Sequence, residues 1–583
     1  LMVHFFLEAL ILVFFLGLSA CAPKQLASTA KQELRHYRIQ DAFAARDQTF
    51  VDHGGPTRES PTTSGPWTPI FTGESEFDAL HYRISMSFPR ASLVSPTFDG
   101  IVEITFKPLT ESYQLLSLDS SPANQIKKIT LLNQFQELHF RQNGLKLEID
   151  LNRPYGPKDS LTIAIEYHWD ADRGRGVYFK SRTGVNDVEA IYTQSEPEIS
   201  KFWFPTNSHP NDRANFESFI SVPEEFTAIS NGALSGITTK DGMKTFNWSM
   251  AMPQASYLFV ATAGKFGVHH ENWNGIPVDF YGPSDDMDRV TYSLRDTPDM
   301  LTFISSKTGF RFPYEKYAQT VVPQYAWGGM EHTTATTLTD KTIHSPDEDS
   351  QFSSNHLLAH ELAHQWFGDL VTCKSWDHIW LNEGFASYFD ALYQEHRQGR
   401  ANYLKTMVGV SSWYFMEEDE EARPVVFPFI HSGLDEYFDS RAYAKGSWIL
   451  HMLRNTLGDD IFFKGIQTYL YRYQGQVVNT EMFRKVMEEV AVKDLYWFFD
   501  QWVMKPGYPH FLIDYAWDMH TKEVVLTVKQ TQDLNQPGGI PGSTPLFEGP
   551  IDVEVAGKLF HINLYGKNAA VPGTEIFRLA SEK

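Results

Sequence analysis

The sequence predicts a multidomain α+β protein, with an antiparallel β domain first, a mainly helical domain in the middle and a small β-sandwich at the end. Three observations predict this order. Apolar and polar residues alternate early in the chain, helical spacing dominates the middle, and strand patterns return near the end. The chain has 583 residues, of which 42% are hydrophobic. It is therefore long enough to bury several cores.

The first residues, 1–21, predict export. The apolar run 5–20 is too short and too near the N-terminus for a membrane span, and is typical of a signal-peptide core. It ends in Leu18-Ser19-Ala20-Cys21, which resembles a bacterial lipobox. We therefore expect Cys21 to carry a lipid anchor, and the protein to lie in a bacterial cell envelope, on the periplasmic side or the cell surface. An ordinary cleaved signal or a hydrophobic N-terminal anchor is the alternative, because no Lys or Arg precedes the run and Glu8 interrupts it.

Residues 22–70 are predicted to form a flexible tether. A short polar helix is expected at 31–49, and Gly, Pro, Ser and Thr dominate 53–69. Such a segment would let a lipid-anchored protein stand off a membrane, although a spacer without a role fits equally well.

The antiparallel β domain is predicted over residues 71–267. Segments 81–86, 100–106 and 160–167 alternate apolar and polar side chains and are separated by turn residues. This alternation is typical of strands with one buried face.

The middle domain, residues 268–505, contains a pattern typical of a metal site. Apolar residues recur at helical spacing in 357–367, and His360 and His364 stand four residues apart, so both imidazoles lie on one helix face. Glu361, between them, could act as a general base toward a water on the metal. The alternative is that the histidines form a surface pair and Glu361 is a solvated charge.

A catalytic zinc site needs a third protein ligand and one open position. Glu383 is the expected third ligand, because it is the one carboxylate in the apolar segment 380–386 of a second predicted helix. Zinc could in principle recruit a thiolate ligand from Cys373. Since His360, His364 and Glu383 complete it, Cys373 is expected to be a buried, inert thiol, and with Cys21 modified no disulfide is expected.

His-Glu-x-x-His followed after eighteen residues by Glu resembles the gluzincin metallopeptidases, in particular the M1 aminopeptidase family. A second block, Gly328-Gly329-Met330-Glu331-His332, is similar to the Gly-x-Met-Glu-Asn exopeptidase motif of that family. The resemblance implies a thermolysin-like, mainly helical catalytic domain with one Zn²⁺ per chain. It also implies that this block binds substrate and that Glu331 holds the free α-amine. His332 stands where the family has Asn, which helps to orient the peptide backbone, so the role of His332 is open.

Two further segments are similar to motifs of the same family. Gln194-Ser195-Glu196 resembles its Gln-x-Glu motif, which implies that Gln194 and Glu196 reach the substrate and that Glu196 joins Glu331 at the α-amine; a surface turn charge is the alternative for Glu196. Tyr443, followed by Ala, Lys and Gly, resembles the tyrosine that donates a hydrogen bond to the developing oxyanion. A neutral phenol suits that role, because it donates without adding a charge.

The charge pattern excludes some partners. The formal net charge is −22 and no cluster of Lys and Arg is prominent, which argues against nucleic acid or an anionic membrane surface as the main partner. The acidic run 416–421 is predicted to be a solvated loop or helix face, because it lacks the alternating ligands and the Gly of a calcium loop.

The last segment, residues 506–583, is predicted to form the small β-sandwich. Strand patterns occupy 511–517, 524–528 and 551–555, and the Gly- and Pro-rich stretch 536–545 separates them. Larger M1 members continue into a helical domain that roofs the active site, and the resemblance here covers residues from about 71 to the end without that roof. The expectations are an unusually open cleft, a cleft covered by a second subunit, or a truncated sequence.

The leading hypothesis is a zinc aminopeptidase that removes single residues from peptides with a free N-terminus. A thermolysin-like endopeptidase would share the zinc site but have no use for Glu331 and Glu196. A non-catalytic peptide-binding lipoprotein should have lost Glu361 or a ligand, and an epoxide-opening hydrolase is known in the wider family. The preferred N-terminal residue, the peptide length and the oligomeric state are not encoded in a linear motif.

Overall fold

The computed structural model of the chain describes residues 68–70, 75–171, 175–182, 188–349, 353–532 and 544–580. The predicted signal peptide, Cys21 and the predicted polar helix lie outside these residues. Of the predicted tether, residues 68–70 are described. Their strand β1 (Thr68–Pro69) pairs antiparallel with Phe429–Ile430 of the middle region. This end of the tether is therefore part of the folded body.

The N-terminal part is built from strands, as predicted. After β1 they are β2 Phe77–Ser87, β3 Thr97–Pro108, β4 Tyr113–Asp119, β5 Asn124–Leu131, β6 Gln136–Glu137, β7 Phe140–Asn143, β8 Lys146–Tyr155, β9 Leu161–Asp170, β10 Val177–Lys180, β11 Ala190–Thr193, β12 Arg213–Pro223, β13 Thr227–Ser230, β14 Ala233–Lys240, β15 Met243–Ala255 and β16 Ala261–Gly264. Alternation explains them: Tyr82, Ile84 and Met86 of β2 are buried while their neighbours are not.

These strands form three sheets. The largest has the order β14-β15-β12-β2-β3-β9-β5-β6, and smaller sheets have the orders β4-β8-β7 and β10-β11-β16-β13. The prediction of a purely antiparallel domain is wrong at one pair, because β12 runs parallel to β2. The long crossover between these two strands allows that direction, whereas a tight hairpin would not.

The middle region combines helices with a sheet. Its strands are β17 Phe266–Trp273, β18 Ile276–Pro283, β19 Tyr317–Val322, β20 Gly329–Met330, β21 Ala335–Thr339, β22 Val371–Cys373, β23 Phe429–Ile430 and β24 Gln476–Val478. Its helices are α1 Met287–Leu294, α2 Thr297–Thr308, α3 Asn355–Ala363, α4 Trp380–Gln398, α5 Arg400–Glu420, α6 Gly446–Leu457, α7 Asp459–Tyr473, α8 Thr480–Ala491 and α9 Tyr496–Trp502. A π-helical turn, Arg441–Lys445, precedes α6.

The sheet of the middle region, in the order β17-β18-β19-β21-β20, was not predicted. Every residue of β19 and β21 is buried. Strands covered on both faces show no alternation of apolar and polar residues, so the pattern that revealed the N-terminal strands is absent here.

The last part contains two small antiparallel sheets that share a core. The strands are β25 Phe511–Asp518, β26 Glu523–Gln530, β27 Gly549–Val555, β28 Lys558–Leu564 and β29 Thr574–Ala580, in the orders β25-β26-β29 and β27-β28. Their apolar cluster, which includes Leu526, Val553 and Leu579, is separate from the large core shared by the N-terminal and middle parts.

No helix among the described residues has the length and apolar character needed to cross a membrane.

Candidate active site

Three buried side chains converge between α3 and α4. His360 lies in the last turn of α3, His364 caps that helix, and Glu383 lies in the first turn of α4. The Nε2 atoms of the two histidines are 3.0 Å apart, and each is 3.2 Å from Oε2 of Glu383. Ligands about 2.0–2.1 Å from a tetrahedral zinc ion lie roughly 3.3 Å from one another. The three donors predicted from the sequence therefore come together at a spacing that fits zinc.

A hydrogen bond from its other ring nitrogen orients His364. Its Nδ1 donates to the carbonyl of Phe367 over 3.0 Å, which leaves Nε2 with its lone pair directed toward His360 and Glu383. A carbonyl can only accept, so this bond selects the tautomer that a metal ligand requires.

Close helix contacts position Glu383. A Cβ added to Gly384 would lie 2.8 Å from the Cα of Gly446, so α4 and α6 meet there through bare backbone. Asn382 accepts the N–H of Cys373 (3.2 Å) and donates to the Tyr257 hydroxyl (3.1 Å), which ties α4 to β22 and to the N-terminal part. Cys373 is a fully buried free thiol, and burial raises its pKa, as expected of an inert cysteine.

The carboxylate of Glu361 faces the strand that carries the exopeptidase-like block. A Cβ on Gly329 would overlap it, so only glycine lets β20 approach so closely. Desolvation raises the pKa of Glu361 well above its ordinary value, and the carboxylates of Glu331 and Glu383 raise it further. A carboxylate in these surroundings is a stronger base than an exposed one.

Glu331 and Glu196 lie next to the ligand set. Carboxylate oxygens of Glu196, Glu331 and Glu383 all lie within 4.8 Å of one another. Burial is the main cause that raises the pKa of Glu331 to about 7. Burial also raises the pKa of Glu196 well above its ordinary value, and the nearby carboxylates of Glu331 and Glu383 raise it further. Within the described part of the chain, one oxygen of each, Oε1, is buried without a hydrogen-bond partner. Carboxylates that are this close together and desolvated repel one another, and a bound cation would stabilise them.

The remaining residues of the two predicted substrate motifs surround this pair. Gln194 donates to the sulfur of Met330 over 3.4 Å and accepts the Tyr325 hydroxyl over 2.6 Å, which joins the motif of Glu196 to that of Glu331. Gly328 adopts a positive φ of 80° and its carbonyl accepts the N–H of Thr339, which turns the chain into β20.

His332 is fully buried and its Nδ1 is 3.1 Å from the Thr337 hydroxyl on β21. Desolvation lowers its pKa to about 3, so the imidazole is neutral. The contact that the structure records for it is thus with the strand hairpin itself.

Tyr443 lies against the ligands. Its ring stacks on His360 with 5.9 Å between centroids. Desolvation, followed by the charge of Glu383, raises its pKa well above 10, so the phenol stays protonated and can donate a hydrogen bond.

Sequence reasoning missed Gln365, which directly follows His364. Its Nε2 donates to the carbonyl of Glu331 (3.0 Å) and its Oε1 accepts the N–H of Thr334 (2.8 Å). One amide therefore locks the α3 end to the chain that carries Glu331. Nothing in the local pattern distinguishes this buried Gln, because its partners are more than thirty residues away.

The acidic run 416–421, predicted as a solvated loop or helix face, is solvated only in part: Met416 and Glu421 are exposed, whereas Glu418 is buried. It ends helix α5, and Glu418 within it is only 3% exposed and pairs with Arg441. A short-range pattern cannot show that a long-range cation will cover one member of such a run.

The groups of the site are themselves well covered. Glu361, Glu383, Glu331 and Tyr443 are 2–5% exposed. The expectation of an unusually open cleft stays a prediction, because these values describe single side chains and not the roof above them.

Known proteins resemble this chain in sequence and in fold. The model of the Peptidase family M1 domain matches residues 292–502, and that of the Peptidase M1 N-terminal domain matches residues 78–258. The fold resembles a crystal structure of an M1 zinc metallopeptidase variant from Deinococcus radiodurans bound to a Tyr-Ser-Ala substrate. The TM-score is 0.63 at 23% identity, over 75% of this chain and 96% of the other.

Relatives include a glutamyl aminopeptidase of Bitis rhinoceros, 25% identical over 77% of this chain and 48% of its own length. Aminopeptidase M1-C of Oryza sativa subsp. japonica is 28% identical over 63% of this chain and 42% of its own. The chain thus spans less than half the length of these relatives. The N-terminal model covers Gln194 and Glu196, and the Peptidase M1 domain model, which follows it along the chain, covers the other residues of the site. The chain belongs to peptidase family M1.

Proposed function

We propose that the protein is a zinc-dependent aminopeptidase that hydrolyses the first peptide bond of peptides with a free N-terminus. One observation carries this proposal: Glu331 and Glu196 lie within a few ångströms of the ligand set, at 4.8 Å or less from Glu383. An endopeptidase would have no use for two desolvated carboxylates beside its metal. The names of the relatives, which include glutamyl aminopeptidases and aminopeptidase M1 proteins, support the same activity.

His360, His364 and Glu383 would hold the zinc ion, with the ligand number of a catalytic site. Zinc, when bound there, would supply a Lewis acid that polarises the scissile carbonyl and lowers the pKa of a water molecule toward about 7.

The chain's own groups would then handle the proton and the developing charge. Glu361, made more basic by its buried surroundings, would accept a proton from the attacking water and return it to the leaving amine. Tyr443, held as a neutral phenol beside His360, would donate a hydrogen bond to the oxyanion.

The α-ammonium of the substrate would bind between Glu331 and Glu196. It would offset the desolvation and mutual repulsion that raise the pKa of both groups. The same contact would place the first peptide bond at the ligand set, so binding energy also supplies orientation. Gln194 and Met330, which connect the two motifs, would bind substrate beside the ammonium, whereas a role of His332 in orienting the peptide backbone stays a prediction.

We further propose that the mature protein is exported and lipid-anchored through Cys21. The apolar run before it and the lipobox-like sequence support this. We also propose that the middle domain is thermolysin-like and that the last part is a β-sandwich.

The test compares peptides with free and acetylated N-termini, with and without a chelator. We expect chelation to abolish activity, and acetylation or Glu331→Gln to lower kcat/KM by at least about thirtyfold, because one partner of a desolvated charge pair is removed. Steady-state kinetics and identification of the cleaved bond by mass spectrometry provide the measurement.

Glu198→Gln is the matched control. Glu198 lies two residues from Glu196, but Lys201 (2.8 Å) and Trp376 (3.0 Å) occupy its carboxylate, so its kcat/KM should stay within about threefold of the native value. Internal cleavage of acetylated peptides at a rate comparable to that of free ones would replace the aminopeptidase proposal with an endopeptidase.

A further inference from the structure

Four buried charged side chains lie within and beside the turn that carries Tyr443. We call Arg423, Asp439, Arg441 and Glu418 the charge cluster; they are 3–7% exposed. Oδ2 of Asp439 lies 2.5 Å from Nη2 of Arg423 and 2.8 Å from Nη1 of Arg441. The Nε of Arg441 forms an ion pair with Glu418 at 3.3 Å. Two carboxylates thus neutralise two guanidinium groups.

Stability alone does not explain such a cluster. Taking four charges out of water carries a large desolvation penalty, and apolar side chains of similar volume often stabilise a fold equally well. A buried cluster of this kind does, however, hold its members in one geometry, because any other arrangement leaves a charge unpaired.

The geometry that it holds is that of the π-helical turn Arg441–Lys445. The side-chain Oδ1 of Asp439 accepts the N–H of Arg441 (2.9 Å) and lies 3.3 Å from the backbone nitrogen of Ala442. The backbone carbonyl of Asp439 accepts the N–H of Tyr443 (3.2 Å). Asp439 therefore caps the turn with its side chain and its backbone. Turns of this rare type are costly and tend to occur at functional sites.

The other end of the cluster is anchored outside the turn. Oε1 of Glu418 accepts the N–H of Gly507 over 2.6 Å, and Nζ of Lys445 donates to the carbonyl of Gly507 over 3.3 Å. Helix α5 and the segment that follows α9 thus hold both ends of the turn. Tyr443 lies between these two attachments and faces His360.

We propose that the charge cluster positions Tyr443 for oxyanion stabilisation, with Asp439 as the principal positioning residue. This inference rests on the proposed function, because it takes the role of Tyr443 from there. Asp439 and Arg441 act only through the turn: they fix where the phenol hydroxyl lies relative to the ligands. A small displacement of a reacting group can lower a rate by about a hundredfold, so the precision of this turn matters for kcat.

The test is a double-mutant cycle with Asp439→Asn and Tyr443→Phe, each made alone and together in the full chain. We expect Asp439→Asn to lower kcat at least about tenfold with KM within about twofold, since it leaves the amine site and the ligands intact. In the Tyr443→Phe background the same substitution should change kcat less than about twofold, because the hydroxyl that it positions is gone. Zinc content should be unchanged throughout.

A binding measurement accompanies the kinetics. A phosphinic peptide mimics the tetrahedral oxyanion, and Asp439→Asn should weaken its inhibition at least about tenfold in the native background and less than about twofold in the Tyr443→Phe background. Equal losses in both backgrounds would overturn the inference and leave the proposed function intact. Native kcat in Tyr443→Phe would overturn the role of Tyr443 itself, and the inference with it.

Two variants guard against a purely structural effect. Asp119→Asn in the N-terminal part likewise removes an ion-paired carboxylate, whose partner there is Lys146 at 2.6 Å, and should leave kcat within about twofold. If Asp439→Asn does not fold, Glu418→Gln enters the same cycle, because it weakens the cluster without touching the cap of the turn. We expect a smaller loss of kcat that again disappears in the Tyr443→Phe background, and the persistence of that loss would contradict the inference.

Discussion

At the scale of single residues, buried carboxylates of this protein differ in what holds them. Asp439 lies between two guanidinium groups, and its pKa stays below the ordinary value because Arg423 and Arg441 outweigh its desolvation. Asp212, in the N-terminal part, accepts only neutral donors in the recorded bonds, the N–H of Ala79 (3.2 Å) and Nδ2 of Asn207 (3.0 Å). Desolvation, with a contribution from Asp78, raises its pKa to about 7.

This difference predicts a pH dependence of stability. The folded chain keeps the proton on Asp212 up to about pH 7, whereas the unfolded chain releases it near pH 4, so this group's stabilising contribution is complete below about pH 4 and is lost as the pH rises through about 7. Asp212→Asn removes the titration. Relative to the native protein, the variant should therefore gain on the order of 2 kcal/mol in unfolding free energy between pH 5 and pH 8. Urea unfolding at both values measures it, and parallel behaviour of the two proteins would contradict the assignment.

At the scale of elements, the site depends on the contact between α4 and α6. Gly384 follows the candidate ligand Glu383 and meets Gly446, which begins the helix after Tyr443. Two glycines thus let one helix bring a ligand and another bring the phenol to the same place. The close contact between the two helices explains why glycine stands at position 446, in the M1-like sequence after Tyr443.

Gly384→Ala should force the two helices apart. A Cβ at 2.8 Å from the Cα of Gly446 is overpacked against backbone, so we expect a loss of about 1–3 kcal/mol in unfolding free energy and a lower kcat. Gly409→Ala in α5 is the matched control, because its Cβ would meet nothing within 4 Å in a helix. It should stabilise the protein by about 0.5–1 kcal/mol. Denaturant unfolding of both variants decides, and equal effects would refute the close-contact explanation.

At the scale of the whole molecule, the described residues form two main apolar cores of unequal size. One apolar cluster runs from Phe77 through the N-terminal strands into the helices, reaches Val503 and includes Phe547 of the last part. The last five strands keep their own cluster around Leu526 and Val553. The site lies inside the first. Glu196 comes from the N-terminal part and Glu331 from the middle part, so the candidate site is assembled only when these two parts are packed together.

Calorimetry should therefore resolve two transitions. The N-terminal and middle parts share one core and should unfold together, whereas the strands β25–β29 should unfold separately, because a small core gives a marginal domain. Addition of zinc should raise the Tm of the transition of the N-terminal and middle parts only, since the proposed ligands lie there. One transition that shifts as a whole with zinc would show that the last part is not an independent unit.

The sequence by itself determined whatever local periodicity encodes. Histidines four apart on a helix, a carboxylate in the next apolar helix and alternating strands in the N-terminal part are properties of neighbouring residues, and the structure has them at 360, 364, 383 and along β2, β3 and β9. The tertiary structure alone decided which distant groups meet. Buried β19 and β21 carry no alternation, Gln365 bonds partners more than thirty residues away, and Glu418 of an apparently solvated run is covered by Arg441. Burial and pairing of a charge depend on the position of its partner in space, and no spacing along the chain records that position.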